Sequence, residues 1–147
     1  MTATRVHLVR HGEVENPGGI VYGRMSGFHL SERGRRQADA AAHWMRAQNA
    51  DVRRVISSPL ERAQESAEAF TAVFGGGVDV VPGVTEAINK LEGKAYDVSL
   101  EILRHPQAWR FLVNPMRPSW GEPYRAVLER MLREIAVAAA SVDGGDV

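Results

Sequence analysis

Three short segments carry side chains that could do chemistry together. Arg10 and His11 follow one apolar run of the chain, and Glu86 follows another. Between them, Ser58 and Arg62 follow a third. Arginine offers planar, permanently charged donors for phosphate oxygens, and the N-terminus of a helix adds unpaired backbone N–H groups. A neutral imidazole can attack phosphorus, and a nearby carboxylate can give or take the proton of the leaving or attacking oxygen.

Each of these residues also has an ordinary structural explanation. A single histidine after a strand is more often structural than catalytic. Arg62 alone is typical of a solvated helix face, and Glu86 alone is typical of a loop. Ser58 is fully explained as a helix cap and needs no catalytic role. The chemical interpretation therefore depends on whether the fold brings the three segments to one place.

The elements that must position these residues are strands alternating with helices. Runs rich in β-branched residues predict strands at 5–9, 54–56 and 78–81. Apolar spacing predicts helices at 31–48, at 58–74 and from about Glu122 to Val142, with a short helix near 99–104. This alternation implies an α/β fold with a parallel sheet. Sites in such sheets form outside the carboxyl ends of the strands, which is where the three segments lie.

The predicted helices have distinctive signals of their own. Ser58 is the expected N-cap of the second helix, with Pro59 as its first residue and Glu61 completing a capping box. Gly75 is expected to end it, and Gly34 to weaken the first turn of the helix before it. The last helix carries an apolar stripe typical of a helix that packs on a core: Tyr124, Val127, Leu128, Met131, Ile135, Ala138 and Val142.

The composition is that of one ordinary domain. The 147 residues include 18 Lys and Arg against 18 Asp and Glu, so the formal net charge is zero. The length predicts a single domain over residues 1–147. The absence of cysteine excludes a disulfide framework, cysteine-ligated zinc and a thiol nucleophile. The charge balance argues against a nucleic-acid partner, and no apolar run suits a membrane span or a signal peptide, so a cytoplasmic location is expected.

The motifs give no reason to expect a cofactor or a metal ion. His7 and His11 are four residues apart, but on a strand this spacing spans about 13 Å, so the pair cannot share one ion. Neither a G-x-x-x-x-G-K-[ST] nor a G-x-G-x-x-G segment occurs, so nucleotide binding of those types has no support.

Five short motifs spread along the chain are similar to those of one known family. They are Leu-Val-Arg-His-Gly-Glu at 8–13, Leu-Ser-Glu-Arg-Gly-Arg-Arg-Gln-Ala at 30–38, Ser-Ser-Pro-Leu-Glu-Arg-Ala-Gln-Glu-Ser-Ala at 57–67, Thr-Glu at 85–86 with Glu-Gly at 92–93, and Gly-Glu at 121–122. In this order they resemble the histidine phosphatase superfamily, also called phosphoglycerate mutase-like. The last motif is similar to the family's Gly-Glu-Ser, with Pro123 in the place of the serine.

The resemblance implies a three-layer α/β/α fold with a mainly parallel sheet, and roles for the residues at matching positions. His11 would be the nucleophile that becomes phosphohistidine, and Glu86 would be the proton donor and acceptor. Arg10 and Arg62 would bind the transferred phosphoryl group. Asn16 is similar in kind to an asparagine that some members use near the phosphate, and we expect it there too.

One feature of the family has no counterpart in the sequence. Its members use a second catalytic histidine, in a Ser-His-Gly-like motif at the carboxyl end of one more strand. The sequence stops at Val147, where that strand is expected to begin, so residues 1–147 are expected to form a single domain that lacks its C-terminal part. His29, His43 and His105 do not lie in a matching context.

Three functions remain open from the sequence. The first is a phosphatase that hydrolyses a small phosphorylated metabolite through phosphohistidine. The second is a phosphoglycerate mutase-type phosphotransferase that uses the same intermediate. Residues 87–120 are shorter than the substrate insertion of family mutases, which favours the phosphatase. The third is a non-catalytic module that binds a phosphorylated ligand.

Some features near the expected site have open interpretations. Residues 22–24 could line the entrance for the substrate, and a plain loop role explains them equally well. Trp109, Phe111 and Trp120 are better explained as a local hydrophobic cluster than as a surface that stacks on substrate. The oligomeric state, a homodimer included, stays open.

Overall fold

The computed structural model describes residues 2–89, 92–93 and 121–147. Its helices are α1 (Glu32–Ala47), α2 (Glu61–Phe74) and α3 (Tyr124–Ala140), and its strands are β1 (Val55–Ser57) and β2 (Val78–Val80). A short 3₁₀ helix, Pro82–Val84, follows β2. The helix expected near 99–104 lies outside the described residues, as do Trp109, Phe111 and Trp120.

The two strands pair in parallel, as the alternation of strands and helices predicts. Val55 lies opposite Val78, and Ser57 lies opposite Val80. Asp146 extends this arrangement, because it forms parallel bridges with both Arg5 and Val52. Residues 146–147 therefore lie between the N-terminal segment and the segment that leads into β1.

The predicted strand at 5–9 is wrong beyond its first residues. The His7 N–H donates to the carbonyl oxygen of Val147 at 2.8 Å, and this is the last such bond of the segment to the sheet among the residues described. Leu8, predicted to be buried, has 73% of its surface exposed, and Val9 is also exposed. The physical reason is that an open cleft, rather than a strand, lies beside residues 8–11.

Helix α1 forms where the sequence predicts it. Ser31 caps the helix, since its hydroxyl oxygen accepts a hydrogen bond from the Gly34 N–H at 3.0 Å. The helix packs on α2 around a small apolar core: Ala42, Met45, Ala50 and Phe70. This pairing holds the N-terminal turns of α1 and α2 at fixed positions near the cleft.

Helix α2 begins later than predicted. Leu60 is its N-cap and keeps an extended backbone, so Ser58 and Pro59 precede the helix rather than opening it. Ser58 instead accepts a hydrogen bond from the Leu60 N–H at 3.4 Å. The Glu61 carboxylate does not complete a capping box, because it accepts a hydrogen bond from the Gly27 N–H at 3.1 Å. The helix ends at Gly75, as predicted, with the glycine at a φ of 85°.

Helix α3 packs through only part of its predicted apolar stripe. Ala138 is buried, and Met131 and Ile135 are partly buried against the cleft. Tyr124 and Leu128 are more than half exposed among the described residues, so their expected place in a core is wrong. No helix within the described ranges combines the length and the apolar character that crossing a membrane would require.

Candidate functional site

A cleft of about 810 Å³ opens at the carboxyl end of β1. Residues 6–11 form one wall and residues 54–58 form the other. Most of the lining is apolar, and the polar side chains include those of Arg10, His11 and Glu86. Residues 146–147 lie between the same two segments, so the cleft continues the gap between them along the sheet.

The imidazole of His11 has one nitrogen committed and one free to react. Its Nδ1 lies 2.8 Å from the carbonyl oxygen of Gly12. A carbonyl oxygen only accepts hydrogen bonds, so Nδ1 carries the proton and donates it. In the neutral ring, the lone pair is then on Nε2. The backbone next to His11 thus selects the tautomer that can act as a nucleophile.

The side chain of Arg62 is fully buried beside this cleft. Its Nη2 donates to Glu86 Oε2 at 2.8 Å and to the carbonyl oxygen of Gly23. The guanidinium carbon lies 4.7 Å from the centre of the Tyr22 ring, within range of a cation–π interaction. Nε and Nη1 of Arg62 have no partner among the residues described. Two unpaired donors on a buried cation are costly, so this arrangement favours an anionic ligand.

One hydroxyl group connects the His11 loop to the Arg62 turn of α2. Ser66 lies one turn after Arg62 and is buried. Its hydroxyl donates to the Arg62 carbonyl oxygen at 2.8 Å and accepts from the Gly12 N–H at 3.2 Å. The loop with the imidazole and the turn with the guanidinium therefore hold each other in place.

The His11 loop also packs directly on the first turn of α1. A Cβ atom on Gly12 would lie 2.2 Å from the Gly34 carbonyl oxygen, and one on Gly34 would lie 2.0 Å from that of Glu13. The Glu13 N–H donates to Gln37 Oε1 at 2.9 Å. Gly34 is thus required for the close packing of two backbone segments. The sequence predicted only that this glycine weakens the first turn of the helix.

The backbone around Glu86 is bound by two arginines. Arg24 Nε donates to the Glu86 carbonyl oxygen at 2.6 Å, and Arg130 Nη1 donates to that of Thr85 at 2.7 Å. Both arginines also reach the carboxylate of Glu122, at 3.4 Å from Arg24 and 3.1 Å from Arg130. The hydrogen bond from Arg130 lowers the pKa of Glu122 and, with the charges of both arginines, outweighs the effect of burial, which raises it.

The structure brings most of the sequence-predicted residues together. Arg10, His11 and Glu86 line one cleft, and Arg62 contacts Glu86 at its edge. Tyr22 and Gly23 line the same cleft, which agrees with the entrance interpretation of residues 22–24.

Asn16 is the predicted site residue that the structure does not bring to this group. Its Nδ2 donates to the Ile20 carbonyl oxygen at 2.9 Å, and its Oδ1 accepts from the Ile20 N–H at 3.2 Å. The amide is therefore used to close its own loop, and Asn16 is not among the residues that line the cleft.

Sequence reasoning missed three residues that support the site. Ser66 lies within the motif at 57–67, but the resemblance gives a role only to its arginine, and the spacing of four from Arg62 was an available signal. Glu122 lies within the Gly-Glu motif that opens the last helix, and no chemical role was predicted for it. Arg130 gave no signal, because a single arginine on a helix is ordinarily solvated. Within the described ranges, no group of three His, Asp or Glu side chains is arranged to hold a metal ion.

Comparison with known sequences gives a family match over almost the whole chain. Residues 6–147 match the family model of the histidine phosphatase superfamily (branch 1). The chain is also 43% identical over 144 residues to the Mycobacterium tuberculosis protein Rv0525, a match that covers 98% of this chain and 70% of that protein. The resemblance inferred from the motifs is thereby confirmed.

Comparison with solved structures gives the same fold. The α-ribazole phosphatase from Shigella flexneri is 27% identical with a TM-score of 0.63, and the match covers 92% of this chain and 66% of that one. The native mycobacterial glucosyl-3-phosphoglycerate phosphatase Rv2419c is 26% identical with a TM-score of 0.65, and covers 93% and 62%. This chain thus spans slightly less than two thirds of either solved chain. The α/β fold with a parallel sheet, predicted from the sequence, is confirmed.

Proposed function

Because the chain belongs to the histidine phosphatase superfamily, we propose that residues 1–147 belong to a single domain that hydrolyses small phosphomonoesters through a phosphohistidine at His11. The observation that carries the proposal is the buried guanidinium of Arg62, with Nε and Nη1 unpaired among the described residues. A phosphoryl oxygen is a suitable acceptor for these donors, since charge-assisted bonds from arginine to phosphate are short and strong.

The proposed reaction has two steps. Nε2 of His11 attacks phosphorus, and the P–N bond forms as the bond to the leaving alcohol oxygen breaks. Glu86 gives its proton to that oxygen. A water molecule then attacks the phosphohistidine and gives a proton to Glu86, and the P–N bond breaks to release inorganic phosphate. Arg10 and Arg62 bind the non-bridging oxygens and stabilise the charge that develops on them.

One finding favours a phosphatase over the alternatives, because both solved relatives described above are named as phosphatases. A mutase remains distinguishable by experiment, because it would pass the phosphoryl group to a second alcohol rather than to water.

The test is covalent labelling of the protein in a single turnover. Brief incubation with a ³²P-labelled phosphomonoester should give a label that is stable to base and lost in acid, as expected for phosphohistidine. The His11→Ala variant should give none. His43→Ala is the matched control, because His43 is an exposed histidine on α1 and its loss should leave labelling unchanged.

Each other outcome points to a different function. Equal labelling of His11→Ala would contradict the assignment of the nucleophile. Label that moves from the protein to an added alcohol without release of free phosphate would indicate a mutase. Binding of inorganic phosphate without any label would indicate a non-catalytic module.

A further inference from the structure

The loop that carries Glu86 is held from two separate parts of the chain. Arg24, in the loop before α1, binds the carbonyl oxygen of Glu86 itself. Arg130, on α3, binds the carbonyl oxygens of Gly83 and Thr85. These contacts fix the backbone at and just before Glu86, although the Glu86 side chain itself is nearly half exposed.

A single carboxylate connects the two arginines. Glu122 Oε2 accepts hydrogen bonds from Arg130 Nη2 at 3.1 Å and from Arg24 Nη2 at 3.4 Å. The same oxygen lies 3.4 Å from the Ile88 N–H, and the Glu122 N–H donates to the Ile88 carbonyl oxygen at 3.0 Å. Glu122 therefore contacts the chain directly at Ile88, after Glu86, and acts through Arg24 and Arg130 on the backbone at and before Glu86. The backbone that carries the Glu86 carboxylate is thus held on both sides by contacts that involve Glu122.

The charge of Glu122 is what makes the arrangement hold together. Arg24 and Arg130 are partly buried cations, with 32% and 22% of their side chains exposed, that lie close enough to share one acceptor, and they would repel each other without it. The hydrogen bond from Arg130 holds the pKa of Glu122 below its ordinary value of 4.5, so the carboxylate stays ionised through the neutral range. A neutral side chain of the same shape would keep part of the hydrogen bonding and lose the attraction for both arginines.

We propose that Glu122 is a positioning residue for the reaction, which holds Glu86 in place to give its proton to the leaving group by binding Arg24 and Arg130 together. The inference rests on the proposed role of Glu86 as the proton donor. Glu122 itself is not among the residues that line the cleft. Replacing Glu122 should therefore slow the same substrates that replacing Glu86 slows, but by a smaller factor.

The chain offers a matched control for this proposal. Glu65, on α2, is a carboxylate of similar exposure, with 14% of its side chain exposed against 16% for Glu122. It also accepts from an arginine and from a backbone N–H, those of Arg35 and Leu30. Its partners lie away from the Glu86 loop, so Glu65→Gln removes a comparable charge without the proposed effect.

The catalytic arm of the test compares two substrates in single-turnover labelling of His11. An alkyl phosphate needs a proton on its leaving oxygen, and an activated aryl phosphate scarcely does. Glu122→Gln should slow labelling by the alkyl phosphate at least tenfold and leave labelling by the aryl phosphate nearly unchanged. Glu65→Gln should leave the ratio of the two rates at the wild-type value. In the double variant Glu86→Gln/Glu122→Gln, the ratio should equal that of Glu86→Gln alone, because both changes act through one group.

The structural arm does not depend on activity. Hydrogen exchange at the Val84 and Thr85 amides, which donate to the carbonyl oxygens of Val81 and Pro82, should become faster relative to the amides of α1 and α2 in Glu122→Gln and not in Glu65→Gln. Equal slowing with both substrates, an additive double variant, or unchanged exchange would each overturn the proposal. Absence of label on the wild-type protein would instead overturn the proposed function, and exchange would still decide whether Glu122 holds the loop.

Discussion

At the residue scale, the site is marked by a guanidinium that lies beside the cleft, with no exposed surface and an incomplete set of partners. Arg62 is bound on one side by Glu86 and the carbonyl oxygen of Gly23, and its other two donor atoms are unpaired among the described residues. A buried donor without an acceptor costs about 1–3 kcal/mol, and more when it is charged. A phosphate oxygen that accepted from these donors would remove this cost. The unpaired donors of Arg62 should therefore increase the affinity of the site for the anion.

We expect Arg62→Met to weaken the binding of inorganic phosphate or vanadate by about tenfold to a hundredfold. Charge-assisted hydrogen bonds contribute about 1.5–3 kcal/mol each, and methionine keeps much of the buried volume while it removes the donors. The free energy of unfolding should change less than the free energy of binding. Isothermal titration at a fixed salt concentration measures the affinity.

Arg54→Ala is the control for this prediction. Arg54 lines the cleft, whereas Arg62 lies beside it, and the Nε of Arg54 donates to Asp79 at 2.6 Å, so its charge already has a partner. Its loss should leave phosphate affinity near the wild-type value. Unchanged affinity in Arg62→Met, or an equal decrease in both variants, would remove Arg62 from the phosphate site.

If Glu86 is the proton donor, its replacement should slow the reaction most for substrates whose leaving oxygen must be protonated. Glu86→Gln should slow the labelling of His11 by an alkyl phosphate by about 10²–10⁴ and leave labelling by an aryl phosphate nearly unchanged. Glu92→Gln is the comparison, because Glu92 is another nearby carboxylate and its Oε1 accepts from the Arg24 N–H at 2.8 Å. If the selective defect occurs in Glu92→Gln and not in Glu86→Gln, the proton donor is Glu92.

The residues of the candidate site could be predicted from the sequence, but the residues that hold them in place could not. His11, Arg62 and Glu86 each follow an apolar run, and a parallel sheet brings such positions to one edge. Ser66 and Arg130 act through contacts between segments far apart in the chain, which no local pattern encodes. Asn16 is the opposite case: its residue type predicted a role at the anion site, but its amide group closes a local turn instead.

At the element scale, the first turn of α1 contains a glycine, Gly34, because the backbone of the His11 loop packs directly against it. We expect Gly34→Ala to lower the free energy of unfolding by about 1–3 kcal/mol, as is usual for overpacking. Helix propensity alone favours alanine over glycine by about 1 kcal/mol, so the expected sign is the reverse of what propensity predicts. The new Cβ would lie 2.0 Å from the Glu13 carbonyl oxygen, and the His11 loop would have to move.

Urea denaturation of Gly34→Ala beside Gly77→Ala provides the measurement. Gly77 has open space around a built Cβ atom and no positive φ, so alanine there should be neutral or stabilising by up to about 1 kcal/mol. A Gly34→Ala protein as stable as wild type would mean that the contact between the loop and α1 adjusts freely.

Elements with local signals were predicted well, and elements that depend on neighbours were not. Helix α1 has a serine cap and one apolar face, and it forms where expected. The start of α2 was wrong because Leu60 keeps an extended backbone that the capping pattern does not reveal. The strand at 5–9 was wrong because a strand is defined by its partner, and the described backbone beside residues 8–11 is an open cleft.

At the scale of the whole molecule, one carboxylate joins helix α2, helix α1 and the loop before α1. Glu65 is bound by His29, by the Leu30 N–H and by Arg35. Burial raises the pKa of Glu65, but the hydrogen bonds from His29 and Leu30 and the charge of Arg35 together hold that pKa below its ordinary value of 4.5. The ionised form is therefore preferred in the folded state.

The sign of the resulting pH dependence follows from this shift. A carboxyl group with a lowered pKa in the folded state contributes stability above its unfolded pKa and loses it as the pH falls through its folded pKa. We expect Glu65→Gln to lower the free energy of unfolding at pH 7 by about 1–3 kcal/mol. The gap to wild type should narrow below about pH 4.5.

Urea denaturation at pH 7 and pH 3.5 measures this gap. Glu68→Gln is the control, because Glu68 is exposed on the same helix and should show no gap at either pH. A gap for Glu65→Gln that is as wide at pH 3.5 as at pH 7 would assign its effect to packing rather than to charge.

The bridges of Asp146 to Arg5 and Val52 have a consequence for the order of folding. Nearly the full length of the chain separates Arg5 from the residue that pairs with it, and contacts of such high sequence separation form slowly. During synthesis, α1 and α2 can pack on each other soon after they leave the ribosome, whereas the N-terminal segment has to wait for residue 146. Nascent chains stalled before that residue should therefore be cleaved by trypsin at Arg5 while α1 and α2 are already protected.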